Sequence, residues 1–254
     1  MVFPKGHIGF FVGPLAVLAF LILTAAALLA QTGPCTLDNP HSDRNIIANI
    51  ADACPSGPEC LAANRTDQYA VITDIPKKQA ARLLVLQLCR LKGMESMQPH
   101  ELPEANYWQD AWDEALRYIV SKPAWIGLAI NPVNGRGQDR LHIHMACVNP
   151  PVIDALSKSA DQLSARWQTL NVAGVSYNVL KAYTLFEQGG PFSLVPTDDA
   201  QAGMGFHTMA VIGKVGGRFY FVLERSTKGE STPQVAENLL EQTCATAQYD
   251  AANG

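Results

Sequence analysis

The chain has 254 residues, enough for one large domain with a true core or for two small ones. Its formal charge is −4 and it has no Lys/Arg-rich run, which excludes a surface built on phosphate neutralisation, so nucleic acid is not an expected partner. Charged residues make up only 17% of the chain, and the N-terminus accounts for part of that deficit.

Ile8–Ala30, IGFFVGPLAVLAFLILTAAALLA, is 23 residues without a charge. A helix of that length crosses the roughly 30 Å hydrocarbon layer of a bilayer. Lys5 precedes it and no Lys or Arg follows before Arg44, so the positive-inside rule puts the N-terminus in the cytoplasm. A cleaved signal peptide is the competing reading, with small-residue cleavage sites after Ala27 or Ala30. Either way residues 31–254 leave the cytoplasm. The expected organisation is a cytoplasmic stub and anchor at 1–30, a polar linker at 31–43 and an exported domain at 44–254, single-pass in the cell inner membrane.

Six cysteines agree with export. Cys54 and Cys60 share the loop ACPSGPECL, where an oxidising compartment favours a disulfide. Cys35 lies beside the membrane, Cys89 and Cys147 lie in apolar runs, and Cys244 falls in the expected last helix. None of the spacings is a zinc pattern, and six cysteines permit fifteen full connectivities, which the sequence leaves open.

Along the domain, Asn45–Cys54 reads as a short helix, and Tyr69–Ile75 and Ala81–Leu88 as strands joined at a turn with Pro76 and two lysines. The segment RLKGMESMQPHELPEANY is long and irregular, as binding loops often are. A helix is expected at Trp108–Val120, with Trp108, Ala111, Trp112, Ala115 and Leu116 on one face. Ala124–Asn131 and Leu141–Val148 form a strand–loop–strand unit around PVNGRGQDR. Pro150 and Pro151 open a helix expected to run from Val152 to Leu170. YNVLKAYTL, MGFHTMAVIGK and RFYFVLER supply further strands, Val215-Gly216-Gly217 a hairpin turn, and Pro233–Ala247 a closing helix. No internal repeat is evident. Hairpin-joined strands with helices between pairs predict an α+β fold with a largely antiparallel sheet.

The stretch GQDRLHIHMACVNP carries the chemistry. On a strand, His142 and His144 share one face, while Leu141, Ile143 and Met145 share the other. Two solvated polar residues on an open sheet face would give the same pattern. A metal site needs a third and usually a fourth ligand. The cupin arrangement fails because no Glu follows His144, and the two-histidine phosphoesterase pattern fails at both His142 and His207. A metal-binding protein using His142, His144 and either His207 or His100 remains a rival.

The spacing Asn131-x₅-Gly137-Gln138-x₃-His142-φ-His144 resembles the histidine-triad (HIT) superfamily of nucleotide hydrolases and transferases. Aligned on Gly-Gln, the resemblance implies His142 at the first triad position, His144 at the nucleophile position and Ala146 at the third. A closer resemblance adds Arg90, Gly93, Glu95 and Ser96 (R-x-x-G-x-E-S), Ser164–Trp167, Gly190–Phe192, the Met204-Gly205 pair, Cys244 and the single anchor. Together these are similar to the bacterial CDP-diacylglycerol pyrophosphatases, HIT-like membrane enzymes that split CDP-diacylglycerol into CMP and phosphatidate. Some of those relatives carry histidine where this chain has Arg140, a register that instead makes His142 the nucleophile; the Gly-Gln spacing favours His144.

The resemblance implies in-line attack by a neutral histidine on the CMP phosphorus and a cytidylyl-histidine intermediate, without cofactor or metal. Phosphate donors would be backbone N–H groups, Gln138, Asn131 and a cation among Arg90, Lys92 and Arg140, although Arg90 and Lys92 also fit solvated loop charges. The partner is a phospholipid in the membrane, and an apolar patch around Met94–Tyr107 is expected for its acyl chains. A HIT-like hydrolase of soluble nucleoside diphosphate compounds is the alternative. Oligomeric state is not encoded legibly.

Overall fold

The structure, a computed structural model, describes residues 43–74, 82–86, 92–96, 105–119, 124–185, 190–195, 204–241 and 243–244. The expected anchor Ile8–Ala30, the linker, Arg90, His100 and the turn at Pro76 lie outside the described residues. Among those described, no helix is long and apolar enough to cross a membrane.

Among the described residues, ten strands form one sheet, antiparallel at every pairing, and with three helices they give the expected α+β class. The strands are β1 (Cys60–Asn64), β2 (Tyr69–Thr73), β3 (Arg82–Leu86), β4 (Trp125–Ile130), β5 (His142–Val148), β6 (Gln168–Val172), β7 (Val175–Ala182), β8 (His207–Lys214), β9 (Tyr220–Ser226) and β10 (Leu240–Glu241). Their order is β1-β2-β3-β5-β4-β8-β9-β7-β6, with β10 added to β5. The strand carrying the two histidines is therefore central. β3 pairs with its first half, from His142 to Met145, and β10 takes over the same edge at Cys147 and Val148.

Helices cover both faces. On one, α2 (Tyr107–Tyr118) lays Trp108, Ala111, Trp112 and Ala115 on Leu128, Ile143, Met145 and Val211. Asn106 caps it by accepting the Gln109 N–H at 3.2 Å. The expected stripe is right except at Leu116, which is 39% exposed; Ile119 holds the next inward position, since 108, 111, 112, 115 and 119 follow the helical period.

The opposite face carries two separate cores. One gathers Ala129, Ala146, Val148, Ala210 and Ile212 under α3 (Pro150–Ser159) and the C-terminal segment. The other packs α1 (Ile46–Asp52) through Ile47 and Ala51 onto Ala70, Ile72, Leu83 and Val85. In the register, His142 lies opposite Val85, and His144 lies between Leu83 and Ala129. The histidines thus occupy the polar seam between two apolar clusters.

Three sequence expectations are corrected. The helix opened by Pro150 ends at Ser159, because Gln168–Val172 pairs with β7 as a strand and takes Trp167 and Leu170 off any helical stripe. β1, β6 and β10 were not expected as strands. The closing helix is instead a 3₁₀ turn at Ala236–Leu239 followed by β10, because the unpaired stretch of β5 edge beyond β3 is completed by that strand. Cys244 follows at φ +51° and bonds to Cys147, while Cys54 bonds to Cys60 as expected.

The Cys147–Cys244 bond closes a loop of 97 residues and pins the C-terminal segment to the histidine strand. Replacing both cysteines by serine should lower unfolding free energy by about 2–4 kcal/mol, measured by denaturant titration. An unchanged midpoint would contradict the pinning.

Candidate active site

Both histidines are buried, at 6% exposure for His142 and 8% for His144. The open wet face considered from sequence is thereby overturned: the two cores flanking the seam close over it. The rings meet edge to face, with centroids 4.9 Å apart.

Their hydrogen bonding differs. His142 Nδ1 lies 2.6 Å from the backbone oxygen of Arg140, and a carbonyl only accepts, so Nδ1 carries the proton. Nε2 is then the lone-pair nitrogen, and the His142 ring makes no other hydrogen bond among the described residues. Burial, reinforced by the neighbouring His144, pushes the His142 imidazolium down to about 3, against the weaker pull of the Arg140 carbonyl and of Glu237. His142 is a neutral imidazole of fixed tautomer across the physiological range.

His144 faces a polar pair that the sequence did not nominate as a whole. Its Nε2 lies 3.4 Å from Asn131 Nδ2 and 3.5 Å from Glu237 Oε2. Asn131 donates to that same Glu237 oxygen at 2.7 Å, and its carbonyl oxygen accepts the Glu237 backbone N–H at 3.4 Å. One atom each from Asp74, His144 and Glu237 lie within 4.8 Å of one another, the geometry of a candidate metal cluster. The Asn131 amide already donates to one of the two Glu237 carboxylate oxygens. The metal set with His207 does not form: His207 is on the opposite face of the sheet, hydrogen-bonded through Nδ1 to Glu224.

Asn131 directly follows β4, and the loop it opens is tied down on both sides. Val133 N–H donates to Gly205 O at 2.7 Å, and Asn134 donates to the carbonyls of Thr227 and Glu230 at 3.1 Å each. Arg136, its side chain 6% exposed, forms a two-pronged pair with Glu95. This explains much of R-x-x-G-x-E-S. A side chain at Gly93 would overlap the Arg136 guanidinium, and one at Gly205 would press 2.6 Å from the Glu95 Cβ. The motif glycines thus let the arginine and the carboxylate close on the loop.

Two nominated residues are committed to packing. Gln138 accepts the Ile47 N–H at 3.1 Å and donates to Asp43 O at 2.7 Å, capping α1, whose N-cap residue Asn45 supplies no side-chain capping bond. Arg140 is buried, contacting Asp52 through both terminal nitrogens at 3.3 Å and the Leu86 carbonyl at 3.3 Å. Lys92 lies on the surface in the bend before Met94. Asp52, Asp74, Arg136 and Glu237 were missed because none stands in a recognisable spacing with the histidines, and Glu237 sat in a segment read as helix.

The family model for CDP-diacylglycerol pyrophosphatase matches residues 49–248, which contain Asn131, Arg136, Arg140, both histidines and Glu237. The chain belongs to that family. A CDP-diacylglycerol pyrophosphatase of Mycobacterium bovis (strain BCG / Pasteur) is 30% identical over 251 residues, covering 89% of this chain and 93% of that protein. One from Yersinia pestis is 29% identical over 197 residues, 73% of this chain and 75% of its own. A probable CDP-diacylglycerol pyrophosphatase of Mycobacterium leprae is 28% identical over 252 residues, covering 90% and 91%. The chain is accordingly an enzyme of the phosphoric anhydride hydrolase class.

The depressed His142 imidazolium has a consequence for stability. Unfolded, the group titrates near 6.5 and folded near 3, so between these values the unfolded chain binds the extra proton. Its contribution is therefore fully present above 6.5 and is lost as pH falls toward 3. In melts across that window, His142→Gln should gain stability relative to the parent chain as pH is lowered. A pH-independent difference would contradict the buried neutral imidazole.

Proposed function

We propose that the chain hydrolyses CDP-diacylglycerol to CMP and phosphatidate, with His142 Nε2 as the nucleophile. The carrying observation is the Nδ1–H bond to the Arg140 carbonyl: it fixes the tautomer that leaves Nε2 a lone pair in a desolvated seam. The reading moves the attack from His144, favoured by the Gly-Gln spacing, to the neighbour two residues earlier. The register of relatives with histidine at position 140 supports the same assignment.

In this account His142 Nε2 attacks the cytidylyl phosphorus in line. The bond to the bridging oxygen breaks, phosphatidate departs with that electron pair, and cytidylyl-His142 remains. His144, 4.9 Å away ring to ring, is the adjacent donor to the phosphoryl oxygens as its Nε2–H tautomer, which Glu237 favours; the Asn131 amide, itself a donor, bonds Glu237 and not that N–H. Loop cations such as Lys92 and Arg90 serve the second phosphate. Gln138 and Arg140 act by holding α1 and the strand end in place. No cofactor enters the scheme. The strand, Gly-containing loop and histidine strand fit a HIT-like arrangement.

A diacyl substrate stays in the bilayer, so Ile8–Ala30 as a single-pass anchor raises the effective concentration of site and lipid. The two disulfides among the described residues suit an extracytoplasmic location at the inner membrane.

The test is steady-state turnover of CDP-diacylglycerol in mixed micelles. His142→Ala should lose about 10³-fold or more in kcat. His144→Ala should lose roughly 10²-fold, the scale of a lost proton donor. Activity of His142→Ala within tenfold of the parent overturns the assignment, and faster turnover of CDP-choline than of the lipid overturns the substrate.

A further inference from the structure

The first chemical step needs no base. A neutral imidazole attacks, and the departing phosphate is already a stable anion. A carboxylate beside that step is a handicap, since it repels an anionic pyrophosphate. Glu237 nevertheless stands 3.5 Å from His144 Nε2 and close enough for its charge to act on His142.

Its setting is specific. Asn131 holds it at both ends, by the side-chain oxygen at 2.7 Å and by the backbone N–H at 3.4 Å. Glu237 is also the most open member of the cluster: its side chain is 22% exposed against 10% for His144, and Asp74 is buried. It is the group of the three that can meet a water molecule at the mouth of the seam while the imidazole behind it stays dry. β10 and the Cys147–Cys244 bond fix the segment that delivers it.

We propose that Glu237, clamped by Asn131 against His144, is the general base that activates water in the second half-reaction. The water oxygen bonds to phosphorus, the P–Nε2 bond of cytidylyl-His142 breaks, and its electron pair returns to the ring. The water proton passes to the Glu237 carboxylate and from there to solvent, and CMP leaves. The carboxylate makes the site a hydrolase, since water would otherwise compete with other nucleophiles for the adduct. This inference rests on the nucleophilic role proposed for His142 and assigns a separate residue to the step after it.

The experiment is rapid quench of the full-length chain in mixed micelles, following phosphatidate and CMP from labelled CDP-diacylglycerol separately. Glu237→Gln should release phosphatidate in a burst approaching one equivalent, accumulate cytidylyl-protein, and release CMP roughly 10²-fold more slowly than the parent. Formate added to Glu237→Ala should speed CMP release and leave the burst unchanged. Should Glu237→Gln not fold, Glu237→Asp is read the same way, with a longer-lived adduct expected. Equal slowing of both products without an adduct means that Glu237 only positions His144, and the proposal fails; unchanged release of both also sinks it. His142→Ala separates the two layers: a phosphatidate burst from that variant defeats the nucleophile assignment whatever Glu237 does.

Discussion

The site depends on one short hydrogen bond, from the ring of His142 to the carbonyl of Arg140, two residues back and just before the strand begins. A buried imidazole could otherwise exist in either tautomer or take up a proton. The carbonyl removes the first freedom, and desolvation between the two apolar clusters removes the second. The carbonyl is available because Arg140 precedes the strand proper, and its guanidinium anchors that point by bonding Asp52 of α1 and the carbonyl of Leu86 at the end of β3. Residues that look like phosphate ligands thus act one layer out, holding the backbone atom that orients the His142 ring.

A second constraint comes from the far end of the chain. Glu237 reaches the histidine strand only because β10 completes the edge that β3 leaves open, and because Cys244 is tied to Cys147. The loop after β4 is fixed as firmly, by Arg136 on Glu95 and by Asn134 on the Thr227–Glu230 turn. Asn131, at the start of that loop, therefore meets His144 and Glu237 from an immobile base. Three distant segments converge on one seam, and none of the three is held by local secondary structure alone.

The alternation of LHIHMACV made the histidine strand legible, and tryptophan spacing made the inward face of α2 legible. Period alone did not show that the second side would be covered too, since burial there depends on α1 and the C-terminal segment folding over it. The family motifs were readable as a pattern but not as contacts. Gly93 and Gly205 acquire meaning only once Arg136 and Glu95 are seen to pack against them. Pro233–Ala247 has helical composition, and its conversion to a turn and strand is a tertiary effect: an open strand edge and a disulfide outweigh weak local propensity. Glu237 was invisible for the same reason.

The central claim is that the bond-forming atom is His142 Nε2. The most direct measurement is to stop the reaction during turnover under alkaline conditions that preserve phosphoramidates, digest the protein, and locate the cytidylyl group by peptide mass spectrometry. The account predicts a mass increase of one CMP residue on His142. The same group found on His144, or no covalent adduct under conditions where phosphatidate is being released, would contradict it.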